Sequence, residues 1–228
     1  MAKIDLNADL GEGIADHLDL ELLDLITSAN VACGGHAGDE ATMTKTVIEA
    51  KARGVRIGAH PSYPDRANFG RRSLPMGIEA IRVSVEDQVR TLLKIAEEEG
   101  APVIYIKPHG ALYHDASLDS DLASVVWSVA KQMGLLTMLL AGSPMADREP
   151  SVIREGFLDR GYMPDGSLVP RSESGALLTD PEEVRQQALL IAPRVDSLCI
   201  HSDTPNAVTL LKHAIDALEN EGYEITAS

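Results

Sequence analysis

The sequence predicts an α/β fold in which parallel strands alternate with helices, closed into a TIM-like βα barrel of seven units and forming a single domain, residues 1–228. Short runs of β-favouring residues alternate seven times with longer amphipathic stretches, a rhythm typical of parallel sheets. No linker or change of composition divides the chain, whose length is sufficient for one large core. A doubly wound open sheet has the same periodicity and is the alternative.

The predicted strands are short apolar runs at residues 3–7, 29–33, 55–59, 103–107, 135–140, 157–158 and 197–200. The helices that follow them are predicted at residues 19–28, 40–53, 79–99, 118–132, 144–155, 181–191 and 206–219. Single residues indicate several boundaries: Asp39 is a suitable N-cap, and Gly54 and Gly100 are suited to helix C-termini. A loop rich in glycine and proline is predicted at residues 161–175.

The chain is acidic, with 35 acidic and 20 basic residues and a formal net charge of −15. Such a surface repels phosphate backbones and anionic lipid, and Arg66, Arg71 and Arg72 are too few to form a basic patch. We therefore expect neither nucleic acid nor a membrane as a partner. The sequence shows no apolar leader and no run long enough to cross a bilayer, which predicts a cytoplasmic protein. Two cysteines do not make a disulfide framework.

Polar side chains gather where the predicted strands end, and four of the seven histidines are among them. These strand-end residues are Asn7, Asp9, Glu12, His36, Asp39, His60, Asp65, Lys107, His109, Asp159, Arg160, His201 and Asp203. Ligands of βα barrels and open α/β sheets bind at the carboxyl ends of the strands. The pattern therefore predicts a functional site there. The other three histidines, His17, His114 and His213, are predicted to lie on the surface.

Each of these residues taken alone has a structural interpretation. Asn7 and Asp9 are suited to bonding turn amides, Asp39 to capping a helix, and His36 and His60 to being buried imidazoles with satisfied hydrogen bonds. The convergence of several such residues favours a site.

Metal binding and nucleophilic catalysis both lack their usual local motifs. Imidazole and carboxylate suit zinc, manganese or a similar ion, and Asp9, His36 and His60 are the leading candidate ligands. No CxxC, HExxH or HxxxH spacing supports a dedicated zinc site. No GxSxG nucleophile elbow is present either. Cys33 is either an activated thiolate or, as such residues usually are, a small buried hydrophobe.

Anion binding is the remaining chemistry that the residues suggest. No GxxxxGK[ST] or strand-following GxGxxG occurs, although the glycine-rich turn at residues 34–38 could present backbone N–H groups to an anion. The arginines suited to a carboxylate or phosphate are Arg71, Arg72, Arg160 and Arg171. From the residues alone, an anion-binding hydrolase or lyase is the expected class.

Eight segments in order along the chain resemble one known family, LamB/YcsF. They are IDLNADLGEG from Ile4, SANVACGGHAGD from Ser28, GAHPSYPD from Gly58, FGRR from Phe69, YIKPHGALY from Tyr105, DRGY from Asp159, LVPRS from Leu168 and CIHSDTP from Cys199. Two departures stand out: the segment 14–19 is short for the family, and Gly35 replaces a common aromatic residue.

The resemblance implies a barrel related to glycoside hydrolases and polysaccharide deacetylases. It also implies the ATP-dependent opening of the lactam of 5-oxo-L-proline to L-glutamate. ATP with Mg²⁺ would be bound at least partly by partner subunits, the B and C subunits of 5-oxoprolinase. A divalent metal in the barrel and a homo-oligomer are both compatible with the resemblance.

The same resemblance suggests roles for the strand-end residues. Asp9 or His60 is the expected general base, and Lys107 with His109 is expected to stabilise an oxyanion. Arg160 or Arg171 would hold the α-carboxylate, and further substrate contacts are expected from Asn7, Glu12, Arg72, His201 and Asp203. Replacement of Lys107 by Met is expected to abolish turnover and leave folding intact.

Two rival functions fit the sequence. One is a metal-dependent deacetylase or amidohydrolase acting on another lactam or amide, which the missing HxxxH disfavours. The other is a non-catalytic subunit that binds a carboxylate.

Overall fold

Seven parallel strands close into a barrel in the computed structural model, which describes residues 1–13 and 16–227. The strands are β1 (Ala2–Leu10), β2 (Ser28–Ala32), β3 (Arg56–His60), β4 (Val103–Ile106), β5 (Leu136–Leu140), β6 (Val152–Phe157) and β7 (Ser197–Ile200). Each pairs with the next, and β1 pairs with both β2 and β7, which closes the ring. The predicted seven-unit barrel is therefore confirmed, and the open sheet is excluded.

Helices surround the barrel. They are α1 (Asp16–Leu23), α2 (Glu40–Ala52), α3 (Ile78–Glu98), α4 (Gly110–Leu118), α5 (Ser120–Gln132), α6 (Pro144–Arg148), α7 (Pro181–Ile191) and α8 (Ala207–Asn220). A short strand, β8 (Tyr223–Ile225), pairs with the start of β1. In the part of the chain that the structure describes, no helix has both the length and the apolar character needed to cross a membrane.

The main hydrophobic core lies between the barrel and its helices, and the barrel interior combines polar side chains with a small apolar cluster of Tyr105, Met138 and Ile153. Along β1, Ile4, Leu6, Ala8 and Leu10 belong to the core. The alternate residues Asp5, Asn7 and Asp9 are buried and contact polar side chains of other strands. Side chains of successive strand residues point to opposite faces, so these three residues form an inward-facing row from the bottom of the barrel to its top.

Hydrogen bonds satisfy the lower part of this polar interior. Asp5 Oδ1 accepts from Ser28 Oγ at 2.6 Å, and its other oxygen accepts from Ser197 Oγ. Asn7 Nδ2 donates to Ser197 Oγ at 2.8 Å, and Asn30 Nδ2 donates to both Asn7 and Asp9 at 2.8 Å. Because buried polar groups are costly without partners, this chain of bonds fixes the rotamers beneath the site.

Several boundary predictions were wrong, and one of them concealed a buried carboxylate. The helix predicted at 19–28 ends at Leu23, because residue 27 already pairs with β1 through a hydrogen bond from Thr27 N–H to the Leu6 carbonyl, and β2 begins at Ser28. The helix predicted at 144–155 ends at Arg148, because the following Glu149 precedes Pro150 and residues before proline avoid helical dihedrals. Residues 152–157, predicted as helix and short strand, form β6, which places Glu155 inside the barrel. The helix predicted from residue 118 begins at Ser120 with Asp119 as its cap, after a separate helix α4 that was not predicted.

We predict that Gly58→Ala lowers the free energy of unfolding by about 1–3 kcal/mol, the usual cost of overpacking. A Cβ at Gly58 would lie 2.1 Å from Cε2 of the fully buried Tyr105 ring. That ring cannot swing away cheaply, because its hydroxyl donates to Asn30 Oδ1 at 2.6 Å. Urea denaturation measures the change. Gly77→Ala is the control, because Gly77 has open space around it, and an equal loss there would refute the packing explanation.

Candidate active site

A cavity of about 310 Å³ opens at the carboxyl ends of the strands. Of the residues predicted for the site, those that line it are Asp9, His60, Lys107, His109, Arg160, Arg171 and His201. Asn7 lies beneath the cavity, and Glu12 and His36 lie beside it against His109. Arg72 is exposed and is not among the lining residues, whereas its neighbour Arg71 is. His114 also lines the cavity, although its side chain is exposed as predicted.

Lys107 is the central cation of the cavity floor and is 2% exposed. Its Nζ lies 3.0 Å from Asp9 Oδ1, 2.8 Å from Glu155 Oε1, 3.2 Å from Asn7 Oδ1 and 3.1 Å from Cys199 Sγ. Burial acts to lower the pKa of the ammonium, but the two carboxylates outweigh it and raise that pKa well above its usual value. An ammonium has three N–H donors, and the hydrogen bonds to Asn7, Asp9 and Cys199 already saturate Lys107.

Glu155 is a site residue that sequence reasoning missed. It is fully buried, and although Lys107 lies 2.8 Å away, neither carboxylate oxygen accepts a well-directed hydrogen bond. The contact is therefore an ion pair held by charge. The alternation of residues 152–157 indicates an inward-facing Glu155, but the helix predicted at residues 144–155 overlaps the start of this strand.

Asp9 is held as a carboxylate. Burial acts to raise the pKa of Asp9, but His60 and Lys107 outweigh it and keep that pKa well below its usual range. Oδ2 lies 3.3 Å from His60 Nε2, while Oδ1 contacts Lys107 and accepts from Asn30. An ionised carboxylate in fixed orientation at a cavity wall is suited to accept a proton from water.

Three histidines and a glutamate meet beside Asp9. The four residues, which we call the histidine–glutamate cluster, are Glu12, His36, His60 and His109, and their ligating atoms lie within 4.8 Å of one another. Burial lowers the pKa of His36 to about 2 and that of His109 well below its usual value, and it raises the pKa of Glu12. Of the predicted metal ligands, His36 and His60 fall in this cluster, and Asp9 reaches it through His60.

His201 is oriented by a buried carboxylate. Its Nδ1 lies 3.0 Å from Asp159 Oδ1, and its backbone N–H donates to Asp159 Oδ2 at 3.1 Å. Thr204 Oγ1 donates to the same carboxylate, which is fully buried. Burial acts to raise the pKa of Asp159, but the contacts with His201 and Thr204 lower it. Because Nδ1 faces a carboxylate, it carries a hydrogen, and Nε2 is the nitrogen available to accept or deliver a proton.

Arginines occupy the mouth of the cavity. Arg71 and Arg171 both contact Asp203 Oδ2, the latter at 3.3 Å, and so bridge loops from opposite sides of the barrel. Arg160 is buried and donates to the carbonyls of Ala176 and Val169, and burial lowers its pKa to about 10. Arg160 thus fixes the loop, whereas Arg71 and Arg171 are placed to bind an anion.

The glycine-rich turn and Cys33 do not contribute reactive groups. Asp39 caps the helix that follows the turn, so a carboxylate already occupies that N-terminus. Burial raises the pKa of Cys33 to about 12, which leaves a thiol and supports the hydrophobe interpretation. At Gly35 a Cβ would lie 2.3 Å from Gln88 Oε1, so Gln88 fills the space above this glycine. The short segment noted in the sequence falls partly on residues 14 and 15, which lie outside the described residues.

The chain is similar over its whole length to known proteins. It is 41% identical over 247 residues to the A subunit of 5-oxoprolinase from Haemophilus influenzae (strain PittEE), and the match covers 100% of both chains. The crystal structure of a lactam utilization protein from Thermus thermophilus superposes with a TM-score of 0.90 at 36% identity, covering 99% of this chain and 100% of that one.

A more distant structure shares only the fold. The family 4 carbohydrate esterase from Streptomyces lividans has a TM-score of 0.55 at 13% identity, covering 98% of this chain and 91% of that one. This likeness agrees with the deacetylase-type barrel predicted from the sequence. A profile of the LamB/YcsF family matches residues 4–228, with the site residues described above inside that span. The chain therefore belongs to the LamB/YcsF family.

Proposed function

We propose that this chain is one component, the A subunit, of an ATP-dependent 5-oxoprolinase and that its cavity is where the lactam of 5-oxo-L-proline opens to L-glutamate. The observation that carries the proposal is the convergence of an ionised Asp9, an oriented His201 and a pair of arginines on one small cavity. The relatives that are named as this component of 5-oxoprolinase support the choice of substrate.

The two ends of the cavity suit the two ends of this substrate. Arg71 and Arg171 already share the Asp203 carboxylate, so a second carboxylate at the mouth would find the same donors. The lactam ring would then point down towards Asp9 and His201. When no substrate is bound, the Asp203 carboxylate partly neutralises the positive charge of Arg71 and Arg171 at the mouth of the cavity.

The overall reaction consumes two water molecules. One hydrolyses the C–N bond of the lactam, and the other accounts for hydrolysis of the β–γ phosphoanhydride bond of ATP. Phosphorylation of the lactam oxygen makes the ring carbon open to attack. Asp9 accepts the proton of the attacking water as the new C–O bond forms. His201 delivers a proton to the ring nitrogen as the C–N bond breaks, and a second water then releases phosphate. General acid and base catalysis of this kind contributes roughly 10²–10⁴-fold.

Lys107 takes a positioning role in this scheme. The role expected from the resemblance was stabilisation of an oxyanion together with His109. Three acceptors saturate its ammonium and Glu155 pairs with it by charge, so we assign it instead to keeping Asp9 ionised and correctly oriented.

ATP, Mg²⁺ and the phosphoryl transfer belong to the assembled enzyme in this proposal. The sequence contains no P-loop and no GxGxxG after a strand, so we assign most nucleotide contacts to the B and C partner subunits. The requirement for ATP favours the cytoplasm as the location of the complex.

The test is glutamate release from 5-oxoproline with ATP and Mg²⁺, first from this chain alone and then from a mixture with the two partner subunits. Glutamate formed only in the mixture supports the proposed role of this chain. Glutamate from the chain alone would locate the ATP site within it. A mixture that assembles and forms no glutamate would reject this substrate and favour a deacetylase-like reaction on another amide.

Arg71→Ala in the assembled enzyme is expected to raise KM for 5-oxoproline roughly 10- to 100-fold, the range for loss of a charge-assisted hydrogen bond. We expect kcat to change much less, because Arg71 lies at the mouth and away from Asp9 and His201. Arg72→Ala is the matched control, since it removes the neighbouring arginine that does not line the cavity. Equal KM values for the two variants would contradict the assigned orientation.

A further inference from the structure

The histidine–glutamate cluster brings together side chains from the ends of four successive strands, β1 to β4. Glu12 Oε1 lies 3.0 Å from His36 Nε2 and 3.4 Å from His109 Nδ1, and His60 Nε2 lies 2.9 Å from His109 Nδ1. The three histidines are 1–5% exposed, and the Glu12 side chain is 5% exposed. The nitrogen and oxygen atoms of all four side chains therefore lie close enough together to contact one ion.

Hydrogen bonds outside the cluster fix the tautomers of two of the rings. His60 Nδ1 lies 2.7 Å from the backbone carbonyl of Lys107, and His109 Nε2 lies 3.0 Å from that of Phe69. A carbonyl oxygen only accepts, so both of these nitrogens carry hydrogen. In the neutral rings, His60 Nε2 and His109 Nδ1 are therefore both lone-pair atoms, and they face each other at 2.9 Å.

A single proton does not resolve this arrangement. A hydrogen on His60 Nε2 would serve the contact with His109 or the one with Asp9 Oδ2 at 3.3 Å. It would leave Glu12 Oε1 and the lone pair of His109 Nδ1 facing each other at 3.4 Å with no hydrogen between them. Buried lone pairs and charges that face one another need a cation or a donor between them.

We propose that Glu12, His36, His60 and His109 form a binding site for one divalent transition-metal ion, with zinc as the preferred occupant. Three imidazole nitrogens and one carboxylate oxygen are a donor set that zinc uses in proteins. Tetrahedral donors at zinc bond lengths of about 2.0–2.1 Å lie roughly 3.3 Å apart. The three short separations in the cluster, 2.9, 3.0 and 3.4 Å, are close to that spacing.

The surroundings of the cluster resemble the outer shell of a metal site. Metal-bound histidines usually donate their second nitrogen to a carbonyl or carboxylate, as His60 and His109 do here. Phe69, whose carbonyl is one of these acceptors, has a φ of 55°, a left-handed conformation that costs energy for a phenylalanine. At the adjacent Gly70 a Cβ would lie 2.9 Å from His36 Cβ, so only glycine lets the loop approach the rings.

The site differs from the ligand set expected from the sequence, because Glu12 and His109 complete it in place of Asp9. Asp9 remains next to it through His60, so an ion there would fix one wall of the cavity. The proposal does not depend on the substrate, because binding of the metal is measured without turnover.

The experiment uses the full chain, freed of metal by dialysis against a chelator. Titration calorimetry with ZnCl₂ is expected to give one zinc per chain, and metal analysis after gel filtration should recover the same ratio. Co²⁺ bound in place of zinc should give visible absorption bands typical of a tetrahedral site. MgCl₂ should give no comparable heat, because a site of three imidazoles is soft for that ion.

Variants separate this site from adventitious binding. His36→Ala and His109→Ala should each raise the Kd for zinc. The increase should exceed roughly 10–100-fold, which is the effect of losing a residue that only hydrogen-bonds to a metal ligand. His213→Ala removes an exposed histidine of α8 and should leave Kd unchanged. A folded wild-type chain that takes up no zinc or cobalt would overturn the proposal. An equal loss of affinity in His213→Ala would overturn it in favour of surface binding.

Discussion

Lys107→Met is expected to abolish glutamate formation by the assembled enzyme, with a loss of about 10³-fold or more, and to destabilise the chain by about 3–5 kcal/mol. The sequence alone predicted an intact fold, but the structure places Lys107 between Asp9 and Glu155. Removing the ammonium leaves two buried carboxylates facing each other with no cation between them. Turnover is lost because Asp9 is no longer held ionised in its productive orientation.

A second variant distinguishes the loss of chemistry from the loss of stability. Two carboxylates and one ammonium carry one net negative charge, the single variant carries two, and Lys107→Met combined with Glu155→Gln returns to one. The double variant should therefore recover most of the stability in urea denaturation and still form no glutamate. Recovery of turnover together with stability would show that Lys107 serves only the fold.

Asp159→Asn is expected to lower kcat by roughly 10²–10⁴-fold, the contribution of general acid–base catalysis, with little change in KM. The fully buried Asp159 carboxylate accepts from the ring and the backbone of His201. An amide nitrogen in its place would favour the other tautomer of His201 and leave the wrong nitrogen facing the cavity. The dependence of kcat on pH should also change, since the group that delivers the proton is no longer held in place.

Thr204→Val is the matched control for this prediction. Thr204 Oγ1 donates to Asp159 Oδ2, whereas the imidazole of His201 lies 3.0 Å from Asp159 Oδ1. Its loss should cost some stability and change kcat by less than about tenfold. A similar kcat loss in both variants, with an unchanged pH profile, would mean that Asp159 only supports the loop.

Much of the barrel and part of the site could be predicted from two features of the sequence, the alternation of strands with helices and the polar residues that follow the strands. Strands of apolar residues repeat with helices between them, and the residues just past them converge at one end of any parallel barrel. Asp9, His60, Lys107, His109 and His201 were found from this rule, and the structure brings them to one cavity.

The remaining site features depend on details that the periodicity does not contain. Glu155 was missed because residues 144–157 could be divided between helix and strand in more than one way, and pairing with β5 and β7 decides it. Arg71 and Arg72 are indistinguishable in sequence, whereas in the structure they follow a left-handed turn at Phe69 and Gly70, and Arg71 lines the cavity while Arg72 does not. The tautomers of the histidine–glutamate cluster depend on backbone carbonyls, which no side-chain pattern reveals.

The most direct test of the account is glutamate release by the assembled enzyme that carries Asp9→Asn in this chain. The account predicts that the complex still assembles and that 5-oxoproline still binds. Glutamate should fall to the level seen without this chain, because the group that accepts the proton from water is gone. Glutamate formation at the wild-type rate would contradict the account and place the lactam-opening site elsewhere in the complex.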